Sequence, residues 1–246
     1  MRAMILAAGL GTRLRPLTAD RPKALVEIAG RTLLEITLSR LREFGIRDVI
    51  INVHHYGDMI AEYLKTNDNF GMHIELSREE VLLDTGGGLK KARHFFLQGS
   101  NGSETPFIVH NVDVISTIDL GRMVQFHIDN QALATLAVQD RETSRYLLFD
   151  DRLQLCGRWA GSDHKPDFKQ SEEALAFSGI HVVSPRLLAM MAESGIFSII
   201  TSYLRLAAQG ERILGFRADE YYWRDVGTPG GVRQATSDVK EKAILQ

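Results

Sequence analysis

Short apolar runs alternate with segments of helical periodicity along this chain of 246 residues, and this alternation limits the folds open to it. Residues 49–53 form a run rich in β-branched side chains, typical of a strand buried in a parallel sheet. Before that run, leucines recur at helical spacing in residues 32–44. A chain of this length can bury one good core. The alternation predicts a single α/β domain with a doubly wound, mixed and mainly parallel sheet.

The loop after the first apolar run, residues 4–6, carries side chains suited to a polyphosphate. Glycine lets main-chain N–H groups approach an anion without a Cβ in the way, and Arg and Lys supply the opposite charge. The loop residues concerned are Gly9, Gly11, Thr12, Arg13, Arg15 and Lys23. A dinucleotide fingerprint would need glycine in place of Leu14, and the Gly-Lys-Ser/Thr of a Walker loop is absent. The pattern predicts a strand, a phosphate-binding loop and then a short strand over residues 24–28.

A run of three glycines, residues 86–88, precedes a helix predicted over residues 89–97. Inside a helix, each glycine lowers stability by roughly 1 kcal/mol relative to alanine. The run therefore indicates that something approaches the main chain closely. We interpret it as the surface on which a nucleobase or ribose lies, with main-chain groups reading the base edge. Asp84, just before the run, offers the acceptor that guanine would need.

Two aspartates follow predicted strands. Asp113 comes directly after the apolar residues 107–112. Asp119 is better placed to cap the helix predicted over residues 120–130, which leaves Asp113 free for another role. Asp225 lies between the last predicted strand and the amino end of the last helix. Because ligands of open α/β sheets bind at the carboxyl ends of strands, both carboxylates are expected at the functional site.

Three motifs occur in one order along the chain: a Gly-x-Gly-Thr-Arg loop, Pro22-Lys23, and Trp223-x-Asp225-x-Gly227-Thr228. In type and order they resemble the sugar-1-phosphate nucleotidyltransferases, and the resemblance covers nearly the whole chain. It implies the Rossmann-like nucleotide-diphospho-sugar transferase fold, with a small β insertion on the sugar side and no C-terminal β-helix. Within a single domain of residues 1–246 it implies a nucleotide-binding half over about 1–115, a sugar-phosphate-binding half over about 116–230 and a C-terminal helix over 229–246.

The resemblance also implies a role for each candidate residue. The catalytic residues are Arg13, Lys23, Asp113 and Asp225, and the two aspartates are the ligands of Mg²⁺. The nucleotide-binding residues are Ala7, Ala8, Gly9, Gly11, Thr12, Arg13, Lys23, Asp84, Thr85, Gly86 and Gly87. The sugar phosphate is bound by Asn111, Tyr146, Ser178 and Gly179. Lys165 matches the sugar-phosphate-binding lysine of the family imperfectly, and Leu147 stands where many relatives have glycine.

The implied reaction transfers a nucleotidyl group from UTP or GTP to a sugar 1-phosphate and releases pyrophosphate. Uridylyl transfer to an acceptor resembling N-acetylmuramate 1-phosphate is favoured. Guanylyl transfer to mannose 1-phosphate and cytidylyl transfer to a phosphorylated alcohol remain open. A nucleotide-sugar sensor without activity is the non-enzyme alternative, and a nicotinamide dehydrogenase is disfavoured by Leu14 and by the basic loop residues.

Composition adds expectations about partners and location. A formal net charge of −2 gives no electrostatic reason to expect nucleic acid. No apolar run approaches the roughly 18–20 residues that span a bilayer, so no membrane association is expected. Cys156 is the only cysteine, which excludes an internal disulfide and fits a reducing compartment, the cytoplasm. A monomer or a homodimer is expected.

Overall fold

Strands and helices alternate through residues 1–98, 105–161 and 173–242, which this computed structural model describes. The strands are β1 (Arg2–Leu6), β2 (Glu27–Ile28), β3 (Arg31–Thr32), β4 (Asp48–Val53), β5 (His73–Arg78), β6 (Phe107–Asn111), β7 (Val114–Ser116), β8 (Ala134–Gln139), β9 (Arg145–Phe149), β10 (Leu155–Ala160), β11 (Glu173–Val183), β12 (Ile213–Arg217) and β13 (Trp223–Asp225). The α-helices are α1 (Leu33–Glu43), α2 (Gly57–Thr66), α3 (Asp84–Lys91), α4 (Arg93–Leu97), α5 (Leu120–Asp129), α6 (Arg186–Met190), α7 (Ile199–Ala208) and α8 (Pro229–Lys242).

Nine strands form one sheet, whose main path runs β10-β9-β11-β6-β1-β4-β5, with β8 paired to β11 and β12 paired to β8. β1 lies between β4 and β6 and is parallel to both, and β4 is parallel to β5. β11 runs antiparallel to β6, β8 and β9, and β10 runs antiparallel to β9. All strands of this sheet except β10 and β11 therefore point the same way, because β12 is parallel to β8. The prediction of a mixed, mainly parallel sheet is confirmed.

Hydrophobic layers cover both faces of the sheet, as a doubly wound fold requires. Along β1, Ala3 and Ile5 pack into one layer and Met4 into the other, because successive side chains of a strand point to opposite faces. Helices α1, α2, α5 and α8 contribute to the first layer, and α3, α4, α6 and α7 to the second. The period of two along β1 thus places helices on either side of the strand that leads to the phosphate loop.

Side chains that accept hydrogen bonds cap the first turns of α1 and α5. The Thr32 hydroxyl accepts the N–H of Glu35 at 3.1 Å and caps α1. The Asp119 carboxylate accepts the N–H of Arg122 at 3.0 Å and caps α5, as predicted. A side chain that accepts one of the unpaired N–H groups of the first turn stabilises a helix by about 1 kcal/mol. Capping by Asp119 leaves Asp113 without a capping role.

Two predicted elements differ from the structure. The strand over residues 24–28 is shortened to Glu27–Ile28, because Lys23–Leu25 forms a 3₁₀ turn in which the N–H of Val26 bonds to the carbonyl of Lys23. The helix expected after the glycine run instead contains it, since α3 begins at Asp84.

The sugar-side insertion corresponds to the antiparallel pair β9 and β10 at the sheet edge, and Lys165 lies outside the described residues. The described residues contain no β-helix, and their last element is α8. In the same part of the chain no helix combines the length and apolar character needed to cross a membrane.

Candidate active site

A cleft of about 350 Å³ opens where neighbouring parallel strands β5, β4, β1 and β6 end. Its walls are formed by Leu6, Ala8, Gly9, Lys23, Asn52, Leu82, Asp84, Thr85, Asn111, Asp113 and Ile196. A volume of this size lies in the range of about 300–1,000 Å³ that holds small ligands. The structure thus brings residues from the phosphate loop, the glycine-run segment and the Asp113 turn to one cavity at the carboxyl edge of the sheet.

Asp113 and Asp225 are far apart in sequence and are brought together by a two-stranded antiparallel sheet. β7 and β13 pair so that Asp225 lies opposite Val114, and the N–H of Val226 donates to the carbonyl of Asp113 at 2.9 Å. A Cβ placed on Gly227 would lie 2.7 Å from Asp225 Oδ1 and 3.4 Å from Asp113 Oδ2. Both carboxylates therefore border one small space, which stays open because Gly227 has no side chain.

Two basic side chains reach the same space. Lys23 Nζ lies 2.5 Å from Asp113 Oδ2, in an ion pair whose side chains are 16% and 13% exposed. Arg13 belongs to the 3₁₀ turn Thr12–Leu14, and its Nη2 lies 2.9 Å from the Cβ position of Gly227. Two cations and two carboxylates from separate parts of the chain thus converge.

The donors in this space suit a hard divalent cation. Mg²⁺ prefers one or two carboxylates, keeps several waters and binds substrate phosphates. The Asp225 side chain accepts the N–H of Gly227 through Oδ1 at 2.6 Å, and the residue is exposed. Within the described ranges no group of three or more His, Cys, Asp or Glu side chains could hold a metal ion. A cation bound here would have two carboxylate ligands from the protein and would take the rest from phosphates and water.

The phosphate loop is shaped by Gly11, whose φ of +63° lies in the left-handed region. The Thr18 hydroxyl donates to the Gly11 carbonyl at 2.8 Å, and a Cβ on Gly11 would lie 3.2 Å from the Cβ of Lys23. The N–H groups of Gly9 and Gly11 have no acceptor among the residues that the structure describes. By contrast, the N–H of Ala7 is taken by a side chain, Asn52, at 2.8 Å, so Ala7 does not offer it to a ligand.

The three glycines pack against protein and not against open space. A Cβ on Gly86 would overlap the ring of Phe197, and one on Gly87 would lie 2.6 Å from the carbonyl oxygen of Gly195. The N–H groups of Gly86 and Gly87 both donate to the Phe197 carbonyl, at 2.9 and 3.2 Å. The segment 195–197 thus fills the side-chain positions of Gly86 and Gly87, which accounts for two of the glycines, and contact of a base with this main chain stays a prediction. Asp84 and Thr85, which precede them, do line the cleft.

The residues predicted for the sugar phosphate lie at different depths. Asn111 lines the cleft, and a Cβ on Gly179, where φ is +75°, would lie 2.9 Å from Asn111 Nδ2. Ser178 is fully buried, with its carbonyl accepting the indole N–H of Trp223 at 2.7 Å. Tyr146 is 8% exposed and packs near Trp159, with ring centroids 5.8 Å apart. Of the predicted sugar-side residues, only Asn111 is part of the cleft wall.

Asn52 and Arg141 were not identified from the sequence. Asn52, a polar residue within an apolar run, lines the cleft and was a detectable signal. Arg141 lies over the ring of Trp223, with its Cζ 3.6 Å from the centroid, and donates from Nη2 to the Phe177 carbonyl at 2.8 Å. Burial lowers the pKa of Arg141, and the negative charge of Asp225 opposes that shift. Nothing in the sequence distinguishes Arg141 from the exposed arginines of the chain.

Sequence comparison identifies the family of this chain. The chain belongs to the nucleotidyl transferase family, whose profile matches residues 2–242. It is 36% identical over 242 residues to the N-acetylmuramate alpha-1-phosphate uridylyltransferase of Caulobacter vibrioides, with 92% of each chain covered. It is 30% identical to a probable mannose-1-phosphate guanylyltransferase of Oryza sativa, where it spans 62% of the relative's length. The protein is a sugar-1-phosphate nucleotidyltransferase.

Solved structures support the fold. HddC from Yersinia pseudotuberculosis, complexed with GMP-PN, superposes with a TM-score of 0.76 at 21% identity and covers 96% of this chain and 98% of its own. A UDP-glucose pyrophosphorylase complexed with UDP-glucose gives a TM-score of 0.78 at 18% identity, with 98% of each chain covered. At these identities the likeness establishes the fold alone, the Rossmann-like architecture expected from the sequence.

Proposed function

We propose that the protein transfers a uridylyl group from UTP to a sugar 1-phosphate of the N-acetylmuramate 1-phosphate type and releases pyrophosphate. The observation that carries this proposal is the convergence of Arg13, Asp113 and Asp225 beside Gly227, with Lys23 paired to Asp113 at the cleft wall. Phosphoryl transfer needs positioning and charge neutralisation more than covalent help from the protein, and these side chains supply both.

The geometry supports a role for each charged group. A phosphate oxygen of the sugar 1-phosphate attacks the α-phosphorus of UTP, a new P–O bond forms, and the bond to pyrophosphate breaks. The nucleophile is already an anion near neutral pH, so no general base is required. Arg13 and the N–H groups of Gly9, Gly11 and Thr12 hold the β- and γ-phosphates, and Lys23 offsets charge at the α-phosphate.

Asp113 and Asp225 would hold Mg²⁺, which when bound neutralises charge on the α-phosphate and the sugar phosphate. In its absence Lys23 balances Asp113 through their ion pair. Two carboxylates from separate strands, both bordering the space beside Gly227, are the feature that supports this assignment. On the sugar side we assign Asn111 to the cleft wall and Gly179, Ser178 and Tyr146 to the layer behind it.

The choice of UTP rests on the relative from Caulobacter vibrioides, a uridylyltransferase that matches this chain over 92% of both lengths. A second candidate, guanylyl transfer, is favoured by Asp84, whose side chain lines the cleft and could accept the N1–H and amine of guanine. The two candidate functions differ in the role of Asp84, so competition between UTP and GTP distinguishes them.

A direct test is to supply UTP and GTP together with one accepted sugar 1-phosphate and measure both nucleotide-sugar products. We expect UTP to be preferred by more than about tenfold, because a site that pairs one base edge leaves buried groups unpaired with another base. Equal or better use of GTP would contradict the proposal. Asp84→Asn would then abolish that use if Asp84 reads guanine.

A further inference from the structure

Behind the phosphate loop, three hydrogen bonds form a continuous chain, two of them buried and the third partly buried. Asn52 Oδ1 accepts the N–H of Ala7 at 2.8 Å, and Asn52 Nδ2 donates to Glu79 Oε1 at 2.8 Å. The second oxygen of Glu79, Oε2, accepts the N–H of Leu83 at 2.9 Å. Asn52 is 3% exposed and Glu79 is 5% exposed, so water competes little for these groups. The two side chains form a bridge between main-chain N–H groups of two separate segments.

The two ends of this bridge lie next to two separate segments of the cleft wall. Ala7 directly precedes Ala8 and Gly9 of the phosphate loop, and Leu83 directly precedes Asp84 and Thr85. The bridging side chains lie where neighbouring parallel strands end, Asn52 within β4 and Glu79 just after β5. The N–H of Glu79 also bonds to the Val53 carbonyl at 2.8 Å, which continues the parallel pairing.

Gly88 makes room for the bridge. A Cβ on Gly88 would lie 2.8 Å from Asn52 Nδ2 and 2.8 Å from Glu79 Oε1. Real Cβ atoms do not approach polar atoms so closely, so any side chain at this position would push into the bond between Asn52 and Glu79. This bond therefore explains why the third residue of the run is glycine.

The bridge has a fixed polarity. Main-chain N–H groups at both ends only donate, so Asn52 must present its oxygen to Ala7 and its amide nitrogen to Glu79. Glu79 must then accept at both oxygens, which an ionised carboxylate does and an amide does not. An asparagine followed by a glutamate satisfies this order of donors and acceptors, whereas two carboxylates or two amides do not.

We propose that Asn52 and Glu79 are positioning residues that fix the spacing between the phosphate-binding wall and the base-binding wall of the cleft. This inference rests on the proposed function, because it assigns the two walls to parts of one nucleoside triphosphate. The bridge acts through Ala7 and Leu83, so it governs binding of the nucleotide and not of the sugar 1-phosphate. Displacements of about 1 Å in a site of this kind can cost about 100-fold in rate.

The polarity allows a rescue experiment. Asn52→Asp alone sets two carboxylates against each other, and Glu79→Gln alone sets two amide N–H₂ groups against each other. The double variant N52D/E79Q restores all three bonds, because the introduced glutamine donates to the introduced aspartate and still accepts from Leu83. Glu80→Gln, at the adjacent exposed position, is the matched control.

We expect each single variant to raise the KM for UTP by at least about tenfold and to leave the KM for the accepted sugar 1-phosphate within about twofold. The double variant should return the KM for UTP to within about threefold of the wild type. In Asn52→Asp, lowering the pH from about 8 to about 6 should also lower the KM for UTP, because facing carboxylates share a proton. This pH series needs only the Asn52→Asp variant. Recovery at low pH shows that the bond between residues 52 and 79 has re-formed, which a variant that had lost its fold would not show.

Several results would overturn the inference. These are equal increases in both KM values, no recovery in the double variant, or lowered thermal stability with an unchanged KM for UTP. A wild-type protein that uses no nucleoside triphosphate would overturn the proposed function, and this inference with it. A wild-type enzyme that is active while all the variants match it would overturn the inference alone.

Discussion

Lys23 and Asp113 form an ion pair in which both side chains keep some contact with solvent, so each can also meet a ligand. Arg13 and Asp225 lie beside the same space and are exposed. In the free protein the four charges offset one another. A bound triphosphate adds several negative charges, which the two cations alone do not offset, and a divalent cation on the carboxylates completes the neutralisation.

Neutralising either carboxylate should remove most activity. Asp113→Asn and Asp225→Asn keep the size of the side chain but weaken cation binding, so kcat/KM should fall by at least about 100-fold, about 2.7 kcal/mol. The exposed turn residue Asp151→Asn is the control and should leave kcat/KM unchanged. Steady-state kinetics in Mg²⁺, with thermal unfolding to check the fold, measures this. Near wild-type activity in either variant would remove that residue from the metal site.

Removing either basic side chain should lower the activity. Arg13→Ala and Lys23→Ala should each lower kcat/KM by at least about tenfold, about 1.4 kcal/mol. Lys23→Arg should not recover activity, because a planar guanidinium does not fit the place of a compact ammonium beside Asp113. Arg21→Ala, at an exposed residue paired with Asp20, is the control. Unchanged kinetics in the Arg13 and Lys23 variants would return both residues to ordinary surface roles.

At the scale of elements, the site depends on two packing arrangements. The pairing of β7 with β13 sets Asp113 beside Asp225, and neither strand belongs to the main sheet. On the other side of the cleft, α3 packs so closely on the segment 195–197 that its glycines leave no room for a side chain. This close packing holds Asp84 and Thr85 at the cleft wall, where the Thr85 hydroxyl accepts the N–H of Ile199 at 2.9 Å.

Gly86→Ala tests the packing of α3. The added methyl group would overlap the Phe197 ring and crowd its carbonyl, so the variant should lose roughly 1–3 kcal/mol of unfolding free energy despite the higher helix propensity of alanine. Gly230→Ala in α8 is the matched control, because its Cβ would have no neighbour nearer than 3.9 Å. Urea unfolding measures both. A Gly86→Ala variant as stable as the wild type would show that α3 does not pack on Phe197 in this way.

At the scale of the whole molecule, the two hydrophobic layers enclose titratable groups. His127 and His181 are 3% and 1% exposed and bond to neutral hydroxyls, those of Thr135, Ser184 and Tyr203. Burial lowers the pKa of His127 to about 4 and that of His181 to about 3. Both imidazoles are therefore neutral in the folded protein near neutral pH.

Stability should fall when the pH is lowered from about 6.5 to about 4.5. In that window the unfolded chain binds protons at histidines, whose usual pKa is about 6.5, while the buried imidazoles stay neutral, so acid favours unfolding. His127→Gln should flatten this dependence and exposed His55→Gln should not. Urea unfolding as a function of pH measures it. A free energy of unfolding that does not change over this window would contradict the burial of these histidines.

The architecture and the position of the charged residues at the sheet edge could be predicted from the sequence. Contacts between segments that are distant in sequence could not. The Gly-x-Gly-Thr-Arg loop and the aspartates after strands are local patterns, so their place at the sheet edge could be predicted. The reason for the three glycines of α3 could not be predicted. Residues from remote parts of the chain fill the Cβ positions of these glycines, namely Phe197, Gly195, Asn52 and Glu79. Asn52 was visible only as one polar residue in an apolar run. The roles of the individual site residues stay predictions until variants are measured.

The central claim is tested most directly by pyrophosphate release from a grid of nucleoside triphosphates and sugar 1-phosphates, with the nucleotide-sugar product measured in the same samples. The account predicts release only when both substrates and Mg²⁺ are present, in equal amounts to the nucleotide sugar, with UTP giving the highest rate. Asp225→Asn should reduce that release by at least about 100-fold. Pyrophosphate released without a sugar 1-phosphate, or no release with any pair of substrates, would contradict the account.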